Sequence, residues 1–231
     1  TLNPRTEVWE YWATINANEL PDGPVEVRAV AYPNVGEPRV LEPLYLNANA
    51  HGTWGRGEVW VSSLFGNDQT GTGTENAPFK TIWKAMQSFG GGANIDGLTV
   101  NLKAGEYFFT GLTNPYPVTE HGWVTISAAP GTSSSDVRVV GVPGGTENRL
   151  RIGRIHLKGL TLDQRNGWGM LTFNTVSPML WLEDVVALGP GPQTNNTKPF
   201  HYPHWTSAFV TGASIRDYKD GCLGAQIARD V

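Results

Sequence analysis

Residues 57–107 read GEVWVSSLFGNDQTGTGTENAPFKTIWKAMQSFGGGANIDGLTVNLKAGEY, and this stretch decides the fold. Glu58–Ser62 is a short apolar strand. Gly66-Asn67-Asp68 and the Gly/Thr run to Gly73 are turn chemistry, because Gly reaches positive φ and Asn and Asp bond their own backbone. Pro78 stands near a helix start, where its missing N–H costs nothing. Ile82, Ala85, Met86 and Phe89 fall at i, i+3, i+4 and i+7, so a helix of roughly two turns carries one apolar stripe. Gly90-Gly91-Gly92 stops it. Leu98–Leu102 then alternates apolar and polar residues and runs into the turn Lys103–Tyr107. A strand, a turn-rich loop, a short helix and a second strand in that order close one end of a repetitive β-structure.

Downstream, short strands recur between turns: Trp123–Ala128, Val137–Val140, Arg154–Leu162, Met179–Leu188 and Ala208–Arg216. Aligning Gly159, Asp184 and Gly212 gives spacings of 25 and 28 residues, the range of one coil of three short strands with their turns. Stacked coil on coil, such strands make parallel sheets with apolar ladders inside. Residues 226–231, QIARDV, end within a strand. Solenoids cover such ends, so another chain or a missing remainder of the protein is expected over this open coil. Upstream, residues 1–50 hold three strand-like runs, Glu7–Ile15, Val25–Tyr32 and about Val40–Asn47. Leu20–Gly23 and Pro33–Gly36 mark turns between them. Ala48–Gly57 is small and Gly-rich and reads as a linker, with Trp54 packing between the flanking parts or, less in keeping with such grooves, stacking on a sugar.

The order WVSS…GND…G…PFKTIWKA…LKAGEY resembles the N-terminal cap and first coil of right-handed parallel β-helix proteins of the pectate-lyase-like superfamily, over roughly residues 57–231. In that family the short helix covers the open end of the first coil. W…ATINANELPDGPVEVRAVAYPNVGEPRV resembles the C-terminal half of a bacterial Ig-like or fibronectin-III-like module. The expected fold class is therefore all-β: a right-handed parallel β-helix with a short capping helix, plus a partial Ig-like β-sandwich. The boundaries are 1–50 for the sandwich segment and 51–231 for the cap and first coils.

Composition narrows the function classes. Among 231 residues only 16% are charged, while Gly is 28, Pro 16 and Trp 9, as a turn-rich β-protein needs. A net charge of −4 argues against a general nucleic-acid surface, which is normally basic. The single cysteine, Cys222, allows no intrachain disulfide and reads as a small core residue. No apolar run approaches the ~20 residues that span a bilayer. The start at Thr1, without Met or signal peptide, is expected of a mature or excised segment.

The resemblance implies that substrates lie along the outer face of one parallel sheet, met by outward side chains at strand ends and in loops. Alternation puts Leu160, Leu162, Ala213 and Ile215 inward and Thr161, Asp163, Ser214 and Arg216 outward. Asp163, Arg165, Arg216, Asp217, Lys219 and Asp220 are then charged candidates for that face or its rim, against the plainer reading of solvated surface charge. Glycoside hydrolysis needs two carboxyl groups about 5–9 Å apart, and Asp163, Asp184 and Asp217 on successive coils are the catalytic candidates. Lyase chemistry needs a base beside a cation that neutralises a uronate carboxylate, often calcium held by clustered Asp. The lyase family's paired WIDH-like and RxPxxR-like segments are absent.

A long Pro- and Asn-rich loop, Gly189–His204, brings His201, Tyr202, His204 and Trp205 together. Tyr202 and Trp205 offer flat faces for a pyranose, or plain packing for the loop. His201 and His204 stand at the spacing of a metal pair or a base, or are satisfied surface histidines. Asn195-Asn196-Thr197 forms a sequon, which has force only in a eukaryotic secretory setting. The substrate-binding candidates are Arg165, Arg216, Lys219, Tyr202, Trp205, His201 and His204. The expected function is binding or cleavage of a polysaccharide, outside the cell or on its surface, by a lyase or glycoside hydrolase. The alternative is a non-catalytic structural or adhesive surface protein.

Overall fold

The computed structural model describes residues 5, 7, 13–20, 22–53, 55–89, 94–109, 119, 121–140, 149–150, 152–164, 171–173, 179–189, 200–201, 207–217 and 227–229. Four short strands come first: β1 (Gly23–Val27), β2 (Val30–Ala31), β3 (Arg39–Val40) and β4 (Leu44–Ala48). After them run β5 (Gly57–Val61), α1 (Ile82–Ser88), β6 (Leu98–Leu102), β7 (Gly105–Tyr107), β8 (Val124–Ala128), β9 (Val137–Val140) and β10 (Arg149–Leu150). The chain continues through β11 (Arg154–Lys158), β12 (Thr161–Asp163), β13 (Leu171–Phe173), β14 (Met179–Glu183) and β15 (Val186–Leu188). It ends with β16 (Phe200–His201), β17 (Ser207–Thr211), β18 (Ser214–Arg216) and β19 (Ile227–Arg229).

From β5 onward the strands sort into three parallel sheets. One has the order β19-β17-β14-β11-β8-β6-β5, a second β18-β15-β12-β9-β7, and a third β10-β13-β16. Successive rungs pair in fixed register because one face of each strand is apolar and a one-residue slip would turn that face to water. Val59, Val100, Ile126, Leu157, Leu182 and Val210 form one inward column of the seven-stranded sheet, and all six are buried. Tyr107, Val139, Leu162, Ala187 and Ile215 form the matching column of the five-stranded sheet. Both columns feed one hydrophobic cluster.

Between these sheets the chain turns a corner at Gly159, Asp184 and Gly212, with φ of 60°, 53° and 63°. The 25- and 28-residue alignment thus marks a shared backbone conformation. Asp tolerates this left-handed region better than most side chains. The corner amides continue the ladder: Gly159 N donates to Glu183 O at 2.9 Å, and Asp184 N to Thr211 O at 2.9 Å.

Helix α1 forms where the apolar stripe predicts. Thr81 caps it, its hydroxyl accepting from Lys84 N at 3.1 Å, and Asp68 holds Thr81 in turn through Thr81 N and Oγ1. Ile82, Ala85 and Met86 are buried in the cluster with Phe89 packed on it, and the helix lies against β5 and β6.

The expected fold class is corrected. Residues 1–50 contain no sandwich among those described: β1 pairs β4 and β2 pairs β3 as two antiparallel two-stranded ribbons. Most of the run Glu7–Ile15 lies outside the described residues, and Ala13–Ile15 are not strand. Downstream, the described residues form open parallel sheets with little helix, not closed into a solenoid. Extensive parallel pairing is the feature shared with Rossmann-like α/β arrangements. Here the strand order never reverses, and the described connections hold a single short helix. The physical reason for the correction is that turn residues and apolar alternation report strands and their spacing. They carry no information on whether the connections close the sheets.

Candidate functional site

Outward side chains of the seven-stranded sheet stack in two columns. Thr99, Thr125, His156, Trp181 and Phe209 form one, and Asn101, Ser127, Lys158, Glu183 and Thr211 the other. Rungs are ~4.8 Å apart, so each side chain meets its counterpart and the diagonal neighbour. Ser127 Oγ donates to Asn101 Oδ1 at 3.2 Å.

Where the two columns pass through β11 and β14, charge collects. Lys158 Nζ lies 2.7 Å from Glu183 Oε1, and His156 Nε2 lies 3.1 Å from Glu183 Oε2. The hydrogen bond from His156, opposed by burial and aided by Lys158, lowers the Glu183 carboxyl to about 2. With Nε2–H donated to Glu183, the Nδ1 lone pair faces the Thr125 hydroxyl 3.5 Å away. The Glu183 carboxylate thus orients the His156 imidazole, the arrangement found in carboxylate–imidazole pairs.

Aromatic rings wall the cluster. The Trp181 ring stands 5.3 Å from His156, 5.6 Å from Phe209 and 5.9 Å edge-on from Trp123. His156, Trp181 and Trp123 are buried. Lys158 and Glu183 are the accessible rim, with side chains 49% and 29% exposed. The buried indole N–H groups of Trp123 and Trp181 have no hydrogen-bond partner among the described residues.

The five-stranded sheet carries a second charged group. Arg138 reaches Glu106 Oε1 at 2.8 Å and also bonds Asp163 Oδ2. Asp163 is outward by register, as alternation predicts, yet buried. Its carboxylate is clamped by the guanidinium.

The catalytic candidates do not form one column. Asp163 is level with Leu188 and Arg216 in successive rungs, which puts Arg216 on its face, two rungs or ~10 Å away. Asp217 follows at the strand end with φ of 62°. Asp184 lies at the opposite end of the strands, its column-mates being Gly159 and Gly212. A Cβ on Gly212 would stand 2.3 Å from Asp184 Oδ1, so that carboxylate packs over the next corner. Arg216 Nε donates to Ser214 Oγ at 2.7 Å. His201 is placed in β16, level with Thr172. Arg165, Tyr202, His204, Trp205, Lys219, Asp220, Cys222, the sequon and Trp54 lie outside the described residues.

Sequence reasoning missed His156, Lys158 and Glu183. The signal was present: sliding RIHLK (154–158) onto MLWLE (179–183) by the spacing that aligns Gly159 with Asp184 pairs His156 with Trp181 and Lys158 with Glu183. His156 lies inside β11, and Lys158 and Glu183 end β11 and β14; each becomes a candidate only once the two rungs are aligned.

No family model, curated protein or solved structure matches this chain. The site therefore has to be interpreted from its own chemistry. Among the described residues no group of three His, Cys, Asp or Glu side chains is placed to hold a metal ion, and no helix is long and apolar enough to cross a membrane.

Proposed function

We propose that the outer face of the seven-stranded sheet binds an acidic polysaccharide, outside the cell or on its surface, and cleaves it by proton abstraction beside a uronate carboxylate. The observation that carries this reading is the Lys158–Glu183–His156 cluster: an oriented imidazole next to an ammonium group at an accessible rim. In the reaction, the Thr125 hydroxyl that faces His156 Nδ1 takes the proton α to the carboxylate as its own proton passes to Nδ1, and that C–H electron pair becomes the new C=C bond. The bond from the β-carbon to the glycosidic oxygen breaks, and the departing oxygen takes a proton from water. Lys158 offsets the carboxylate's charge as the carbanion character develops. Calcium, the other means of neutralising a uronate, finds no ligand set among the described residues, and no step is assigned to it.

Hydrolysis fits less well. Its two carboxyl groups must flank one bond and be free to act as acid and base, whereas Asp163 is clamped by Arg138 and Asp184 lies at the opposite end of the strands. The non-catalytic structural or adhesive reading is favoured by one feature, the mutual satisfaction of the outward polar ladder from Asn101–Ser127 through Lys158–Glu183. A panel of uronate and neutral glycans separates the readings. Elimination gives unsaturated ends that absorb in the ultraviolet, and hydrolysis gives reducing ends without that absorbance. A folded protein silent across the panel points to the structural role.

A further inference from the structure

Outside that site, a dense polar contact among the described residues lies where β1 and the 48–57 segment meet the parallel sheets. Asp22 is fully buried. Its Oδ1 accepts from His51 N at 3.0 Å and faces His51 Nδ1 at 3.3 Å. Its Oδ2 accepts from Thr53 N at 2.6 Å and Thr53 Oγ1 at 2.8 Å. Its own amide crosses to the sheet body, donating to His121 O at 3.0 Å. The His51 and His121 rings stack 4.3 Å apart, 7° from parallel, and His121 N donates to Asp96 Oδ2 at 2.9 Å. Thr53 sits between two glycines: a Cβ on Gly97 would stand 1.5 Å from Thr53 O, and one on Gly122 2.4 Å from Thr53 Oγ1.

We propose that Asp22 is an acid-released latch that holds the 51–53 segment, and with it the far end of the β1–β4 ribbon, at the joint with the parallel sheets. An ionised carboxylate accepts from all these donors at once. A protonated one gives up an acceptor site and must place its own O–H among donors. The groups facing the latch are His51 from its own side, and His121 and Asp96 from the sheet body, with the Asp96 charge in turn acting on Arg154.

The direction of the pH effect follows from Asp22. Burial alone would raise its pKa, but the His51 and Thr53 amides, the Thr53 hydroxyl and the His51 ring together hold it below the ordinary aspartate value. A carboxyl lowered in the folded state gives stability that is complete above its unfolded value and is lost as pH falls through the folded one. The latch is therefore closed at neutral pH and opens below the usual Asp range.

Amide hydrogen exchange, expressed as protection factors, tests this. In Asp22→Asn at neutral pH, protection at His51 and Thr53 should fall roughly 10- to 100-fold, the loss of a charge-assisted bond, with Leu98–Leu102 unchanged. In the wild type the same two amides should lose protection on acidification before those of Leu98–Leu102. If Asp22→Asn does not fold, the wild-type titration decides. Equal loss at both places, or no change at His51 and Thr53, overturns the latch.

Discussion

The N-terminal ribbons and the parallel sheets are built from similar short strands and reach opposite outcomes. In the sheets, Leu98, Val100, Leu157 and Leu182 are completely buried. In the ribbons Val40 is 64% exposed and Leu44 58%. Two paired strands cannot cover either of their own faces. A parallel stack instead places an aliphatic side chain over each of its like, rung after rung, and two such stacks face each other. What separates the regions is the number of rungs sharing a column, not strand propensity.

That contrast is easy to break by substitution. Leu157→Ala, in the middle of the longest column, should cost about 3–4 kcal/mol through lost transfer energy and a cavity, measured by denaturant unfolding. A similar loss at Leu44→Ala would show that the ribbon is packed and the comparison false. Gly97→Ala sharpens the boundary between the regions. It forces a side chain into φ of 76° and onto the Thr53 carbonyl, at roughly 2–4 kcal/mol.

A smaller effect is expected from pH. Glu183, lowered to about 2 by His156 and then Lys158, gives the sheets stability that is complete above the ordinary glutamate value and disappears as pH falls toward 2. The loss should be on the order of 2 kcal/mol. Glu183→Gln should remove most of this pH dependence from acid unfolding curves. Least affected should be Leu44→Ser, within about 0.5 kcal/mol.

Much of the strand pattern was legible because it is written in local chemistry. Ile82, Ala85 and Met86 at helical spacing gave α1, and Leu98–Leu102 gave its strand without adjustment. Gly159, Asp184 and Gly212 gave the repeat. The ribbons were anticipated only as strands and turns, since nothing in Val25–Tyr32 states whether a second layer covers it. Closure of the sheets was over-read from the repeat, because spacing fixes which strands pair and leaves the path between them open. At the site, Asp163 was placed on the outward face by alternation, but its partner Arg138 is 25 residues away and visible only once rungs are in register. His156 and Glu183 were hidden for the same reason. Each looks like an ordinary strand residue until its neighbour on the next rung is known.

The most direct measurement is the ultraviolet absorbance of unsaturated product from a uronate polysaccharide, followed for wild type, His156→Ala and Asp163→Ala, each shown to be folded. Turnover should fall about 10²–10⁴-fold on removing the base at His156 and persist in Asp163→Ala. Undiminished rate in His156→Ala, or loss confined to Asp163→Ala, would contradict the assignment and move the chemistry to the Arg138 side of the molecule.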